Sequence, residues 1–316
     1  MKITVLDTNT ITNGDISLKP LEAFGDVEYF DLLTEDEIIK VSQKSDIIIC
    51  NKADITARIM DECKNLKFIT IFATGYNNID VAAAKMRGIV VSNVPGYSTD
   101  SVAQHTFSFI LELALNISKY NASVMGGDWA AQEKFCYFSY PLMEIKDKTL
   151  GILGFGTIGE KVAQIGKAFG MKIIAYNRSE KAASSVEFVS LEELFKRSDF
   201  LSLHCPLNEG TKNIVNEKTL SLMKKSAFLI NTARGACVNE EALSYALNND
   251  LISGAAVDCL DIEPMKKNRI YLKTKNILIT PHIAWATNES RTRLIGRVAE
   301  NIKDFIEGNP INVVNP

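Results

Sequence analysis

Histidine is scarce in this 316-residue chain: only His105, His204 and His282 occur. The shortage leaves few candidates for proton transfer near neutral pH, where imidazole changes charge most readily. No Cys-x-x-Cys pair occurs among the six cysteines, at positions 50, 63, 136, 205, 237 and 259. Most lie in or beside apolar segments, where free cysteine packs as a small hydrophobe. That pattern argues against a disulfide scaffold, fits a reducing cytoplasm and suggests no metal site. No apolar run approaches the roughly 20 residues needed to cross a bilayer. The opening Met1-Lys2-Ile3-Thr4-Val5-Leu6-Asp7 has too short an apolar block for a signal peptide and reads as a first strand. A net charge of −3 leaves no basic footprint for nucleic acid. Internal repeats and low-complexity tracts are missing too.

What remains is an ordinary globular composition, 46% apolar and 23% charged, on a chain long enough for two full cores. Residues 2–6, 27–30, 46–50, 68–72 and 89–92 read as short strands, with helical patterns at 34–43, 55–62 and 81–87 between them. Alternation of this kind predicts a parallel sheet covered on both faces. The turn-rich Asn93-Val94-Pro95-Gly96 breaks this unit. Ser101-x-x-Gln104 then reads as a capping box opening a long amphipathic helix to about Tyr120. A second series has strands at 149–153, 171–176, 199–203, 226–231, 253–257 and 276–280. One further helix, 289–307, precedes Gly308-Asn309-Pro310. So short a tail is expected to pack back on the first unit. The expected division is a discontinuous substrate-binding domain, 1–97 with 286–316, and a dinucleotide-binding domain, 98–285.

The second series opens on its most specific tract, Leu153-Gly154-Phe155-Gly156-Thr157-Ile158-Gly159. A strand runs into Gly-x-Gly-x-x-Gly and then a helix-like stretch, 161–169, before the strand at 171–176. Gly154 permits the tight turn, Gly156 lets backbone approach a pyrophosphate, and Gly159 lets helix lie on strand. Glycine patterns alone also occur in ordinary turns. Here the flanks match a dinucleotide site.

Three polar residues follow later strands of that series: Arg234, Glu263 and His282. Taken singly, each has a plain reading, as a loop cation, a solvated carboxylate and a turn histidine. Together they fall at the carboxyl edge of one sheet, where open parallel sheets bind ligands. The set suits hydride transfer to a 2-oxo acid. Negative charge develops on the carbonyl oxygen, so a donor such as His282 is required. Glu263 would favour and orient its charged form, and the planar guanidinium of Arg234 suits the substrate carboxylate. Ala73-Thr74-Gly75-Tyr76-Asn77-Asn78 is either a simple strand-to-helix turn or a source of backbone N–H groups for that carboxylate. His204 reads as part of the cofactor wall. His105 reads as structural, with an approach to the nicotinamide also open.

At this point the residues resemble the D-isomer-specific 2-hydroxyacid dehydrogenase family over nearly the whole chain. The motifs are Gly154 to Gly159, Asn231-Thr232-Ala233-Arg234-Gly235, Asp258 through Glu263-Pro264, and Thr280-Pro281-His282. The resemblance implies an α/β fold of two doubly wound parallel-sheet domains, a flavodoxin-like substrate domain and a Rossmann domain. It implies Arg234, Glu263 and His282 as the catalytic three, and Thr74, Gly75 and Tyr76 as carboxylate contacts. Candidate cofactor contacts are Gly154, Phe155, Gly156, Thr157, Ile158, Gly159, Asn177, Arg178, His204, Cys205, Pro206, Thr211, Thr232, Ala233, Asp258 and His282. It also implies a hinged cleft between domains and a homodimer built around helix 101–120. Within the family, the tracts from Pro95 to Thr106 and from Pro281 to Trp285 look most like the glycerate dehydrogenase, or hydroxypyruvate reductase, branch. Trp285 stands where many relatives have glycine, and either caps a small-substrate site or simply packs.

Two departures stand out. NAD-preferring relatives place aspartate after the second strand of the nucleotide domain, where this chain has Asn177-Arg178-Ser179. Without the carboxylate a 2′-phosphate is not repelled, and Arg178 can pair with one, so NADP(H) or dual use is favoured over NAD(H) alone. In the alternative, Arg178 points to solvent and Asn177 binds the ribose. Asn239, where relatives often carry aspartate, has no functional reading. Glyoxylate or another short 2-oxo acid is an alternative substrate. A phosphoglycerate dehydrogenase is disfavoured, because no regulatory domain follows Pro316, and a formate dehydrogenase because that branch has glutamine at Glu263. A dinucleotide-sensing binding protein, like the C-terminal-binding-protein corepressors, would also keep the triad but would turn over little.

Overall fold

The computed structural model describes residues 1–178, 186–267 and 269–316, so Ser179 lies outside the described residues. The chain divides into two compact units, Met1–Ser98 with Ala286–Pro316, and Thr99–Trp285.

The first unit is a five-stranded parallel sheet in the order β2-β1-β3-β4-β5. Its strands are β1 (Lys2–Val5), β2 (Asp26–Tyr29), β3 (Ile47–Cys50), β4 (Phe68–Ile71) and β5 (Val90–Ser92). Helices α1 (Glu35–Ser42), α2 (Ala57–Glu62) and α3 (Val81–Met86) connect them. Strands β3 and β4 are wholly buried and, Thr70 apart, apolar, as suits central parallel strands. The order is that of a flavodoxin-like doubly wound sheet. The C-terminal helix of this unit (Asn288–Ile306) covers β4 by stacking Phe305 on Phe68 at 4.4 Å.

The second unit carries helices α4 (Thr99–Leu115) and α5 (Ile117–Met125), then strands β6 (Thr149–Leu153), β7 (Lys172–Tyr176) and β8 (Glu187–Phe188). Strands β9 (Phe200–Leu203), β10 (Phe228–Asn231), β11 (Gly254–Val257) and β12 (Ile277–Ile279) complete a seven-stranded parallel sheet. Its order, β12-β11-β10-β9-β6-β7-β8, places the switch point between β6 and β9, the Rossmann arrangement. Helix α6 (Thr157–Ala168) follows β6, α7 (Leu191–Arg197) precedes β9, and α8 (Glu217–Leu220) and α9 (Glu240–Asn248) lie between β9 and β11. The C-terminal helix of the first unit is thus α10. Asn239 caps α9, its side chain accepting from the Ala242 N–H at 2.9 Å.

Two expectations about the long helix need correction. It begins at Thr99, so Ser101 is not a cap; its hydroxyl donates to Ala284 O at 2.6 Å. It also ends at Leu115, because Asn116 adopts left-handed φ 50° and starts a separate helix, α5. Strand β8, two residues long, was not expected. All six cysteines are free, and all but Cys136 are buried.

Candidate active site

Arg234, Glu263 and His282 lie on the loops after β10, β11 and β12, three neighbouring strands of the second unit. Asn231, at the end of β10, closes the first of these turns. Its side chain accepts from the Ala233 N–H at 3.0 Å and donates to Arg234 O at 2.9 Å. The Arg234 guanidinium donates to Ala233 O at 2.7 Å and is partly exposed. The next residue must be glycine for lack of space. A Cβ on Gly235 would lie 1.9 Å from the Leu260 carbonyl carbon and 2.3 Å from the Asp261 nitrogen. The arginine loop is therefore packed directly on the glutamate loop.

Glu263 uses both carboxylate oxygens. One accepts from the Leu260 N–H at 2.9 Å, and the other meets His282 Nδ1 at 2.7 Å. His282 itself sits at φ 57°, a costly backbone state for a non-glycine residue. Asp258, buried at the end of β11, supplies the compensation. Its carboxylate accepts from the Ile283 and Ala284 N–H groups, each at 2.8 Å, and from the Thr280 hydroxyl at 2.5 Å. With Nδ1 paired to Glu263, Nε2 is the nitrogen left to exchange a proton. The Trp285 indole donates to His282 O at 2.9 Å and fixes the same turn.

The glycine loop has the geometry of a phosphate cradle. Gly154 has φ 95°, and a Cβ there would reach the Cys205 nitrogen at 2.5 Å. A Cβ on Gly159 would lie 2.5 Å from Gly154 O, whereas one on Gly156 would meet nothing within 4 Å. Helix α6 starts at Thr157 with no side-chain cap, so its first N–H groups, across Thr157 and Ile158, face outward beside that open glycine. These features fit a nicotinamide dinucleotide. Asn177, after β7, turns inward: its amide oxygen accepts from the Phe155 N–H at 2.6 Å and its nitrogen donates to Phe155 O at 3.3 Å. It braces the glycine loop. Arg178 is exposed.

Of the remaining candidates, His204 follows β9, with Nε2 2.8 Å from Ser202 Oγ and a buried Nδ1 that has no partner among the described residues. Burial pushes its pKa down to about 3, so the ring is neutral at physiological pH. Cys205 is buried against the Gly154 turn, and the Thr211 hydroxyl donates to Pro206 O at 2.6 Å to close the loop between them. Thr232 Oγ1 is 3.1 Å from Thr106 Oγ1. His105 is drawn into the catalytic turn, Nε2 lying 3.0 Å from Thr280 Oγ1 and 3.8 Å from Asp258 Oδ1. Burial lowers its pKa, and Asp258 opposes the shift. In the first unit, the Thr74 hydroxyl donates to Val94 O at 2.8 Å and Asn93 donates to Thr74 O at 2.6 Å. Among the described residues the Gly75 and Tyr76 N–H groups find no acceptor. Sequence reasoning missed Asn231, Gly235 and Thr280 as shaping residues. Only Gly235, directly after an arginine, carried a local signal.

The family model of the D-isomer specific 2-hydroxyacid dehydrogenase NAD-binding domain matches residues 107–284, more than half of the chain. The chain belongs to this family. Over 321 aligned residues it is 38% identical to a hydroxypyruvate reductase of Blautia hydrogenotrophica, covering all of both chains. It is 41% identical over 277 residues to a glyoxylate reductase of Thermococcus litoralis, covering 85% of this chain and 82% of that one. Among solved structures, an acyclic imino acid reductase in complex with NADPH and D-arginine superposes with TM-score 0.89 at 35% identity, covering 99% of this chain and all of the other. This family member is an oxidoreductase of 2-hydroxy acids that uses a nicotinamide dinucleotide. No helix among the described residues is long and apolar enough to cross a membrane.

Proposed function

We propose that the chain reduces a short 2-oxo acid, hydroxypyruvate or glyoxylate, to the corresponding 2-hydroxy acid, as its named relatives do. The dinucleotide supplies the hydride when bound. His282 gives a proton from Nε2 to the carbonyl oxygen, while Glu263, at 2.7 Å from Nδ1, orients the ring. Arg234 binds the substrate carboxylate and polarises the carbonyl. To Thr74, Gly75 and Tyr76 we assign anion binding through backbone N–H groups, and to Trp285 the fixing of the histidine turn and a restriction on substrate size. The observation carrying this reading is the 2.7 Å His282–Glu263 pair, on a loop braced by Gly235 next to Arg234. For the cofactor we assign NADP(H) or dual use. A neutral Asn177 engaged with Phe155 stands where NAD-preferring relatives carry the aspartate that repels a 2′-phosphate, and the exposed Arg178 that follows can pair with one. Assaying hydroxypyruvate, glyoxylate, pyruvate and longer 2-oxo acids with NADH and NADPH in parallel tests both parts. Cofactor binding without turnover on any of them would favour the sensor reading.

We also propose a homodimer, on a surface adjusted from the expected one. Apolar positions of α4, Ala103, Phe107, Phe109 and Ile110, are buried in the core of their own unit. Exposed apolar side chains gather instead at Ile117, Met125, Trp129, Phe135, Phe138 and Leu142, on α5 and the segment after it. Sedimentation of Phe135→Ser/Phe138→Ser against wild type checks this; a dimer that survives the double substitution would place the interface elsewhere.

A further inference from the structure

Among its described residues the loop carrying Glu263 has no regular structure, and residues 261–267 are all exposed. An exposed loop cannot by itself hold a carboxylate 2.7 Å from its partner, because ordering a backbone costs free energy at every residue. Beyond the Leu260 N–H that already holds Glu263, the loop is tied down by Glu240, the first residue of α9. Its Oε1 accepts from the Asp261 N–H at 3.2 Å, on one side of Glu263, and from Arg269 Nη2 at 2.8 Å, on the other. The pair is largely enclosed, the side chains 11% and 17% exposed, and it lies beside buried Tyr271. Arg269 Nε is buried without a partner among the described residues, so Glu240 is the contact that fixes its position.

We propose that Glu240 and Arg269 are positioning residues for the proton donor: one oxygen of Glu240 closes the loop at both ends and thereby holds Glu263 against His282. An enclosed ion pair is a weak source of net stability but a strict geometric constraint, since removing one partner strands the other. The inference rests on His282 being the proton donor.

The test compares Glu240→Gln, Arg269→Met and Arg269→Lys with wild type in steady-state reduction of hydroxypyruvate across pH, with cofactor binding and thermal unfolding measured alongside. Glu240→Gln keeps an acceptor for Asp261 but loses the charge facing Arg269. Both it and Arg269→Met are expected to lower kcat about tenfold or more, as displacement of a reacting group of about 1 Å can do. Cofactor affinity should be retained, so that the loss falls on kcat and not on cofactor binding. Arg269→Lys should recover part of what Arg269→Met loses. Lower melting temperatures with unchanged kcat would overturn the proposal, because a purely structural pair moves stability alone. His282→Ala separates the two claims. If it leaves kcat near the wild-type value, the proton-donor reading fails. If it lowers kcat by about two orders of magnitude or more while Glu240→Gln leaves kcat unmoved, only the positioning proposal fails.

Discussion

Gly235→Ala is the substitution whose consequence can be worked most fully from the structure. The backbone at Gly235 lies outside the left-handed region, so alanine brings no torsional strain of its own. The difficulty is space. The new methyl would sit 1.9 Å from the Leu260 carbonyl carbon, 2.2 Å from its oxygen and 2.3 Å from the Asp261 nitrogen. All three atoms are backbone and cannot rotate aside. To reach an ordinary contact the 260–261 peptide must withdraw by about 1.5 Å, and overpacking of this kind costs about 1–3 kcal/mol of stability. Leu260 also donates the N–H that holds Glu263, so its movement draws the carboxylate away from His282. A displacement of about 1 Å at such a group can cost ~10²-fold in rate. The assay is kcat for hydroxypyruvate reduction at saturating cofactor, with thermal unfolding as the control for folding. Gly156→Ala is the comparison: its methyl meets nothing in the protein, so the fold should stand and cofactor affinity alone should fall. A folded Gly235→Ala enzyme with wild-type kcat would refute the coupling of the two loops.

Arg234→Lys should raise KM for the 2-oxo acid far more than it weakens cofactor binding, since lysine cannot make a planar two-point contact; equal losses in both would make the arginine structural. Asn177→Asp keeps the acceptor for the Phe155 N–H and adds a charge that repels a 2′-phosphate, so the ratio of NADPH to NADH use should fall; an unchanged ratio means that phosphate is read elsewhere. Burial lowers the His204 pKa from its ordinary 6.5 to about 3, so between these values the unfolded chain holds a proton that the folded chain does not. Stability should therefore fall as pH drops through that window. Denaturant titrations at neutral and mildly acidic pH should show a smaller difference for His204→Asn, and the same difference in both proteins would contradict the assignment.

Much of this architecture is legible in residue order because its causes are local. The run Phe228-Leu229-Ile230 is apolar on consecutive positions, which suits a strand covered on both faces. The glycine loop is legible because Gly154 and Gly159 answer backbone demands that other residues meet poorly. Helix ends were read less well, and the reasons are particular. Ser101 looks like a cap until its hydroxyl finds Ala284 O, 183 residues away. Asn116 did carry a signal, since asparagine tolerates the left-handed state that divides α4 from α5. The catalytic three could be named from their places after strands, but not what holds them. The engagement of the Asp258 carboxylate by Thr280, Ile283 and Ala284 is one such support that residue order does not display. Contacts such as these, or Gly235 against Leu260, exist only once strands far apart in the chain lie side by side.

The most direct measurement is single-turnover oxidation of bound reduced cofactor by hydroxypyruvate, in wild type and in His282→Ala. If His282 supplies the proton, the wild type reacts rapidly and the variant binds cofactor normally yet reacts about two to four orders of magnitude more slowly. A variant that oxidises its cofactor at the wild-type rate would contradict the assignment of the proton donor.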